Sequence, residues 1–192
     1  MKLIETSLPG VVIIEPRVFE DARGFFLESY HQERFAALGL EAPFVQDNHA
    51  RSTRGTLRGL HYQLAQPQGK LCRVVQGEVF DVAVDIRGGS PTFGQWTGAV
   101  LSDQNKRQIW VPRGFAHGYL VLSESADFLY KCDDFYRADD QYSVAWDDPQ
   151  IGITWPLNGL TQNDLILAEK DRSAPLLKDI LPQHLPPFAA SL

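Results

Sequence analysis

The chain of 192 residues lacks several features that mark specialised classes of protein. It has two cysteines, Cys72 and Cys132, which cannot build a disulfide framework and favour a reducing compartment. No apolar run approaches the ~20 residues that a membrane-spanning helix needs. Residues 1–10 lack the apolar core of a signal peptide. These absences predict a cytoplasmic protein without a membrane partner.

Positive charge is scarce too, because 18 lysines and arginines stand against 24 aspartates and glutamates, a net charge of −6. This balance argues against a general nucleic-acid binder. Carboxylates are in turn missing from residues 48–77. The cations of that segment are Arg51, Arg54, Arg58, Lys70 and Arg73. The stretch suits either an anionic small molecule or ion pairs with acids of the C-terminal half, and the sequence leaves both open.

Familiar catalytic signatures are also absent, which weakens three classes of enzyme. The chain has no G-x-G-x-x-G, Walker A loop or G-x-S-x-G, so nicotinamide, ATP-driven and serine-nucleophile chemistry are disfavoured. What is present is the composition of a folded domain, with 44% hydrophobic and 22% charged residues. The length predicts one domain over 1–192, with a tail from about residue 181 too rich in proline for regular structure.

Short apolar runs punctuated by glycine and proline dominate the pattern. The clearest is Val79–Ile86, whose even-numbered residues share one face of a strand. Two stretches look helical, 31–38 and 163–169, the second with Asn163 as its N-cap. Further strands are predicted at 11–18, 24–30, 57–62, 71–75, 95–101, 108–111, 118–122, 128–132 and 143–146. The pattern predicts an all-β jelly roll (a double-stranded β-helix) with a few short helices, whose mouth can hold a ligand.

A histidine stands close to two cations in the segment Arg58–Gln63 and Lys70. His61 would ordinarily be a hydrogen-bonded structural residue, but the nearby cations favour a role as a base. Strict alternation places Arg58 and His61 on opposite faces of a strand. Gly59 between them permits a bulge that turns both side chains inward.

The segment Pro112–Gly118 matches the second metal-binding motif of cupins, P-x-G-x-x-H. The first motif needs H-x-H, and the corresponding residues here are His61, Tyr62 and Gln63. A metal held by two histidines without a carboxylate would be poorly bound. A metal-dependent cupin oxygenase is therefore disfavoured, and no metal is expected.

Taken together, the ordered blocks of the chain resemble the dTDP-4-dehydrorhamnose 3,5-epimerase family, which has the cupin fold. The resemblance runs over nearly the whole chain and is carried by residues 19–26, 44–49, 57–63, 68–71, 77–87, 114–118 and 130–131. It implies the substrate dTDP-4-dehydro-6-deoxy-D-glucose and the product dTDP-4-dehydro-β-L-rhamnose, with no cofactor. A C4 ketone acidifies the protons on C3 and C5, so a base can remove each.

The resemblance also implies a role for each site residue. His61 is the expected base, oriented by Asp171; Lys70 stabilises the enolate, and Tyr130 returns a proton on the opposite face. The implied substrate-binding residues are Arg23, Phe26, Glu28, Gln46, Asp47, Asn48, Arg58, His117, Gln141 and Lys170. Gln141-Tyr142 departs from the family, which commonly has an acidic residue followed by arginine there.

In this family the strand that carries Arg23, Phe26 and Glu28 enters the neighbouring subunit's site, so the resemblance implies a homodimer. Two alternatives remain open besides the oxygenase. One is an epimerase of the same fold acting at C3 or C5 alone. The other is a sugar-nucleotide-binding jelly roll without catalysis, because a fold does not establish function.

Overall fold

Strands make up most of the regular structure, and the computed structural model describes residues 1–188. The strands are β1 Lys2–Glu5, β2 Val12–Glu15, β3 Val18–Asp21, β4 Gly24–Leu27, β5 Gln46–Thr53, β6 Leu57–Gln63, β7 Lys70–Gln76, β8 Glu78–Asp85, β9 Trp96–Ser102, β10 Gln108–Val111, β11 Phe115–Val121, β12 Ser125–Cys132 and β13 Gln141–Ser143. The two short helices are α1 Gln32–Ala36 and α2 Glu169–Arg172. Within residues 1–188, no helix is both long and apolar enough to cross a membrane.

The strands form two large antiparallel sheets and a separate hairpin. The six-stranded sheet has the order β1-β2-β10-β7-β12-β5, and the five-stranded sheet has the order β13-β6-β11-β8-β9. The two sheets pack face to face, with Cys72, Ile109 and Phe128 of the first against Ala83 and Tyr119 of the second. This sandwich confirms the predicted all-β jelly roll. The β3–β4 hairpin forms a two-stranded sheet of its own.

The two faces of β8 show why the sandwich forms. Val79 and Ala83 lie in the core between the sheets, whereas Val82 and Val84 lie in a second cluster on the outer face. This alternation confirms the predicted face assignment of the strand. Residues after β13, among them Ile151, cover the outer cluster, so β8 is buried on both sides.

Several predicted boundaries are wrong, for local physical reasons. The predicted strand 11–18 is two strands, because Pro16 interrupts it. The strands β1 and β5 were not predicted, since β5 alternates polar and small residues rather than strongly apolar ones. The predicted strand 143–146 is also wrong, since β13 spans Gln141–Ser143 and shares only Ser143 with it. The other predicted strands are confirmed with their ends shifted by a few residues.

The second predicted helix, 163–169, is also wrong. Thr161, not Asn163, caps a 3-10 turn at Gln162–Asp164 through a capping box. Ile166 then bridges Thr56 as extended chain, and α2 begins later. The tail carries more regular structure than predicted. Pro182–His184 forms a 3-10 turn, and Pro187 forms a bridge with Gly88.

Candidate active site

A cavity of about 530 Å³ opens between the two sheets. It is lined by strands of both sheets and by residues 166–171, which lead into α2. Eight of the fourteen predicted site residues lie on its wall: Arg58, His61, Lys70, His117, Tyr130, Gln141, Lys170 and Asp171. Residues that are far apart in sequence therefore meet in one place.

A bulge in β6 turns Arg58 and His61 to the same cavity. The two residues are three positions apart, but they pair with residues of β11 that are two positions apart. Gly59, with φ of 136°, supplies the extra residue. A Cβ at Gly59 would lie 2.6 Å from the Cα of Gly118, so only glycine fits this contact. The predicted bulge is confirmed, and its cause is close backbone packing between β6 and β11.

His61 forms a short hydrogen bond with a buried carboxylate. Its Nε2 lies 2.6 Å from Oδ1 of Asp171, and the side chains are 21% and 2% exposed, respectively. Burial lowers the pKa of His61, an effect that Asp171 opposes and the charges of Lys70 and Lys170 reinforce. A lowered pKa keeps the imidazole neutral near pH 7, as a base requires. Because Asp171 occupies Nε2, Nδ1 is the nitrogen left to accept a proton.

Lys70 and Tyr130 reach the same cavity from the facing six-stranded sheet. Burial lowers the pKa of Lys70, which the thiols of Cys132 and Cys72 and the carboxylate of Asp81 oppose. Burial also raises the pKa of Tyr130 above its usual value, so the phenol keeps its proton and can donate it. An imidazole that favours its neutral form therefore stands on one sheet and a protonated phenol on the other.

His117 lines the same cavity and is hydrogen-bonded to a different acid, Asp81. Its Nε2 is 2.9 Å from each carboxylate oxygen of Asp81 and 3.7 Å from Sγ of Cys72. Within residues 1–188 these three buried side chains are the set whose donor atoms lie close enough to hold a metal ion. His61 is opposite His117 in the strand register, but it turns to Asp171. The two histidines therefore do not converge as the cupin metal motif requires.

Positive charge collects at the mouth of the cavity. Arg58 donates to Oγ of Ser52 from Nε at 3.1 Å and from a terminal nitrogen at 3.0 Å. Lys170 and the hydroxyl of Tyr136 both donate to Oε1 of Gln141, at 3.1 and 2.8 Å. None of these contacts neutralises either cation. The mouth therefore suits an anionic ligand even though the protein is acidic overall.

The cations of residues 48–77, the segment without carboxylates, fall into two groups: some bind protein groups and others face the cavity. Arg51 pairs with Asp127 at 2.6 Å, so the ion-pair interpretation is correct there. Arg54 donates to the backbone carbonyl of Asn158. Arg58 and Lys70 face the cavity instead, where an anionic ligand would meet them.

Six predicted site residues lie outside the main cavity. Asp47 and Asn48 of β5 line an adjacent cavity of about 110 Å³, whose wall also includes Tyr130. Gln46 donates to Oδ1 of Asn48 at 3.1 Å. Asp47 forms an ion pair with Lys131. These polar groups thus flank the site without entering it.

The other three residues lie at or beside the β3–β4 hairpin. Arg23 is 90% exposed and pairs with Asp21 of the same hairpin. Phe26 is 69% exposed, and Glu28 pairs with Arg34. Within one chain these side chains are not part of the cavity wall.

Sequence reasoning missed two polar residues of the interior, Asp81 and Tyr119. Tyr119 lines the cavity, and it lies on β11 two residues after His117. Asp81 interrupts the apolar strand β8 and is completely buried. The period-two alternation of strands would have placed Tyr119 on the same face as His117.

A jelly roll that holds proton-transfer groups on facing sheets belongs to the cupin-like enzymes that work by acid–base chemistry. A family model described as dTDP-4-dehydrorhamnose 3,5-epimerase matches residues 5–179. The chain belongs to the dTDP-4-dehydrorhamnose 3,5-epimerase family. It is 56% identical over 180 residues to the dTDP-4-dehydrorhamnose 3,5-epimerase of Pseudomonas aeruginosa, covering 93% of this chain and 97% of that protein.

Solved structures agree with this assignment. A dTDP-6-deoxy-D-glucose-3,5-epimerase of Legionella pneumophila, in complex with dTDP-4-keto-L-rhamnose, superposes with a TM-score of 0.94. It is 52% identical, and the match covers 98% of this chain and 99% of that one. A 3'-monoepimerase of Streptomyces bikiniensis, in complex with dTDP-quinovose, is 34% identical with a TM-score of 0.87. That match covers 95% of this chain and 91% of the other.

Proposed function

We propose that the protein epimerises C3 and C5 of dTDP-4-dehydro-6-deoxy-D-glucose and produces dTDP-4-dehydro-β-L-rhamnose for dTDP-L-rhamnose biosynthesis. One observation carries the proposal. His61, paired with Asp171, and Tyr130 stand on facing sheets of a single cavity. Inversion of a carbon centre requires a proton to leave one face and another to arrive on the opposite face. Two proton-transfer groups on opposite walls satisfy that requirement.

The chemistry follows from the protonation states of these groups. Neutral His61 removes the proton alpha to the C4 ketone, and Asp171 stabilises the imidazolium that forms. Lys70 places positive charge beside the enolate oxygen, at a half-buried position where charge is less screened than in bulk water. Tyr130, whose phenol keeps its proton because burial raises its pKa, returns a proton from the other wall. Water then takes the proton from His61 and returns a proton to Tyr130, and the same sequence at the second alpha carbon completes the double inversion.

The remaining cations of the cavity fit the nucleotide part of this substrate. Arg58 has a planar guanidinium at the mouth and suits a diphosphate, with Lys170 nearby. Gln141 and His117 supply further polar contacts on the wall. The β5 residues Gln46, Asp47 and Asn48 are proposed to contact the nucleotide or the sugar from the adjacent cavity. The ligands of the two solved relatives are likewise dTDP-sugars.

A homodimer is part of the proposal, with Arg23, Phe26 and Glu28 entering the partner's cavity. The hairpin is hydrogen-bonded to neither large sheet, and it exposes Phe19, Phe25 and Phe26. Exposed aromatic clusters of this kind mark interaction surfaces. Light scattering of the purified protein tests the dimer, and Phe26→Ser should shift it towards the monomer.

A cytoplasmic location is proposed as well. Cys72 and Cys132 are both free and buried, as expected for a protein kept in a reducing compartment. Fractionation of the native host, with the protein followed by antibody, tests the location.

Proton NMR in heavy water tests the activity directly. Incubation of the dTDP-keto-sugar with the purified protein should place deuterium at both C3 and C5. Deuterium at one carbon alone would identify a single-site epimerase. Binding of the sugar nucleotide without any exchange would identify a non-catalytic binder, and activity that vanishes with a chelator would identify a metal enzyme.

A further inference from the structure

Tyr119 carries a buried hydroxyl that no group in the described part of the chain satisfies with a hydrogen bond. The residue is 5% exposed and lies on β11, with its side chain on the wall of the main cavity. Within residues 1–188 its hydroxyl has no hydrogen-bond partner. A buried hydroxyl without a partner destabilises a protein, whereas phenylalanine would fill the same space without that cost.

The neighbours of this hydroxyl are engaged elsewhere. Ser52 is close enough to affect the pKa of Tyr119, but no hydrogen bond of normal geometry joins the two hydroxyls. The oxygen of Ser52 already accepts two hydrogen bonds from Arg58. Asp81, opposite Tyr119 in the strand register, is bound to His117 instead.

The ring of Tyr119 is also fixed in place. It stacks on Phe128 with the ring centroids 4.1 Å apart and the planes at 20°. Its backbone pairs with β8 on one side and with β6 at Arg58 on the other. Rotation of the side chain towards a protein partner would break the stack, so the hydroxyl stays buried near Arg58, at the residue's place beside the cavity.

We propose that Tyr119 is a substrate-binding residue whose hydroxyl donates a hydrogen bond to an anionic oxygen of the nucleoside diphosphate. The inference rests on the proposed function, which assigns a sugar nucleotide to this cavity. A donor is expected because burial raises the pKa of Tyr119 and keeps its proton on the oxygen. A phosphate oxygen is the expected acceptor because the adjacent cation is Arg58.

The test compares Tyr119→Phe with the wild-type full-length protein, using dTDP as the probe. Calorimetry should give about a tenfold weaker dTDP affinity for Tyr119→Phe, the effect of losing one charge-assisted hydrogen bond. The melting temperature of the free variant should equal or exceed that of the wild type, since the unsatisfied hydroxyl is gone. Ligand-induced stabilisation by dTDP should shrink accordingly.

Tyr62→Phe is the matched control. Tyr62 is also buried, but its hydroxyl donates to the carbonyl of His184 at 2.9 Å and lies outside the cavity wall. This variant should lose stability and keep its dTDP affinity. An unchanged dTDP affinity in Tyr119→Phe overturns the proposal, whatever happens to the melting temperature.

Solvent exchange separates this inference from the proposed function. If wild-type protein places deuterium in the sugar while Tyr119→Phe binds dTDP normally, the function stands and the role of Tyr119 is wrong. If wild-type protein gives no exchange but Tyr119→Phe binds dTDP more weakly, Tyr119 is a nucleotide contact in a protein with another activity.

Discussion

The main cavity and the β3–β4 hairpin were both predicted to hold site residues, yet they differ in how one chain supports them. In the cavity His61 is held by a buried carboxylate and lies between two packed sheets. In the hairpin Arg23 and Phe26 are exposed, and Arg23 pairs with its neighbour Asp21. A single chain therefore brings eight of the predicted site residues to one cavity but leaves the hairpin residues away from its wall.

His61→Asn should have the largest effect, and it tests whether His61 in the main cavity is the base. Removal of a general base is expected to reduce turnover by about 10³-fold, with loss of deuterium exchange at both carbons. Stopped-flow or coupled assays measure turnover, and NMR measures exchange. His49→Asn is the control, because the exposed His49 forms a similar pair with Asp127 but does not line the cavity. Equal losses in the two variants would contradict a specific role for His61.

Asp171→Asn should have a smaller effect, roughly 10²-fold on kcat, because the base remains but loses its orienting partner. The pH profile should move as well. Neutral His61 is the active form, so kcat/KM falls as the pH drops below the pKa of His61. Asp171 raises that pKa, so its removal should shift the acid limb to lower pH. An acid limb that does not move would show that the limb belongs to another group.

Arg23→Ala tests whether the β3–β4 hairpin contributes to substrate binding. Loss of one charge-assisted contact should raise KM by about tenfold. The melting temperature should stay the same, since Arg23 is almost fully exposed. Arg54→Ala is the control, an exposed arginine that donates to a backbone carbonyl. Unfolding curves and initial rates supply the measurements.

Mixing Arg23→Ala with His61→Asn chains then asks which cavity the hairpin serves. If hairpins are exchanged, a mixed dimer has one site with an intact hairpin and an intact base. Equal mixing should then restore about one quarter of wild-type activity at low substrate concentration. If each hairpin serves its own chain, mixing restores nothing beyond the sum of the separate variants.

Gln141→Glu should have the smallest effect, at the mouth of the cavity. A carboxylate in place of the amide that accepts from Lys170 would offset the charge of that lysine. Lys170 lowers the pKa of His61, so the variant should raise this pKa and shift the acid limb upward by less than about one pH unit. Gln104→Glu adds the same charge on an exposed turn and should leave the profile unchanged. A downward shift would contradict this account.

Local patterns in the chain were enough to predict the β class and the segments that supply most of the cavity wall. The alternation in β8 is strong because every second side chain packs between the sheets. The bulge at Gly59 was predictable because a close backbone contact requires glycine. His61 was a candidate base from its neighbouring cations, whereas the roles of Lys70 and Tyr130 came from the resemblance of their segments to the epimerase family. The polar strand β5 escaped prediction because its pairing with β12, not its own apolar pattern, makes it a strand.

Tertiary structure decided what no local pattern contains. His61 and Asp171 are 110 positions apart in the sequence. The chain is extended at Ile166, and α2 follows it and holds the buried Asp171 beside His61. The unsatisfied hydroxyl of Tyr119 likewise depends on which groups Ser52 and Asp81 bind instead. Sequence periodicity reports which face a side chain occupies. Partners, burial and shifted pKa values arise only when distant strands bring those faces together.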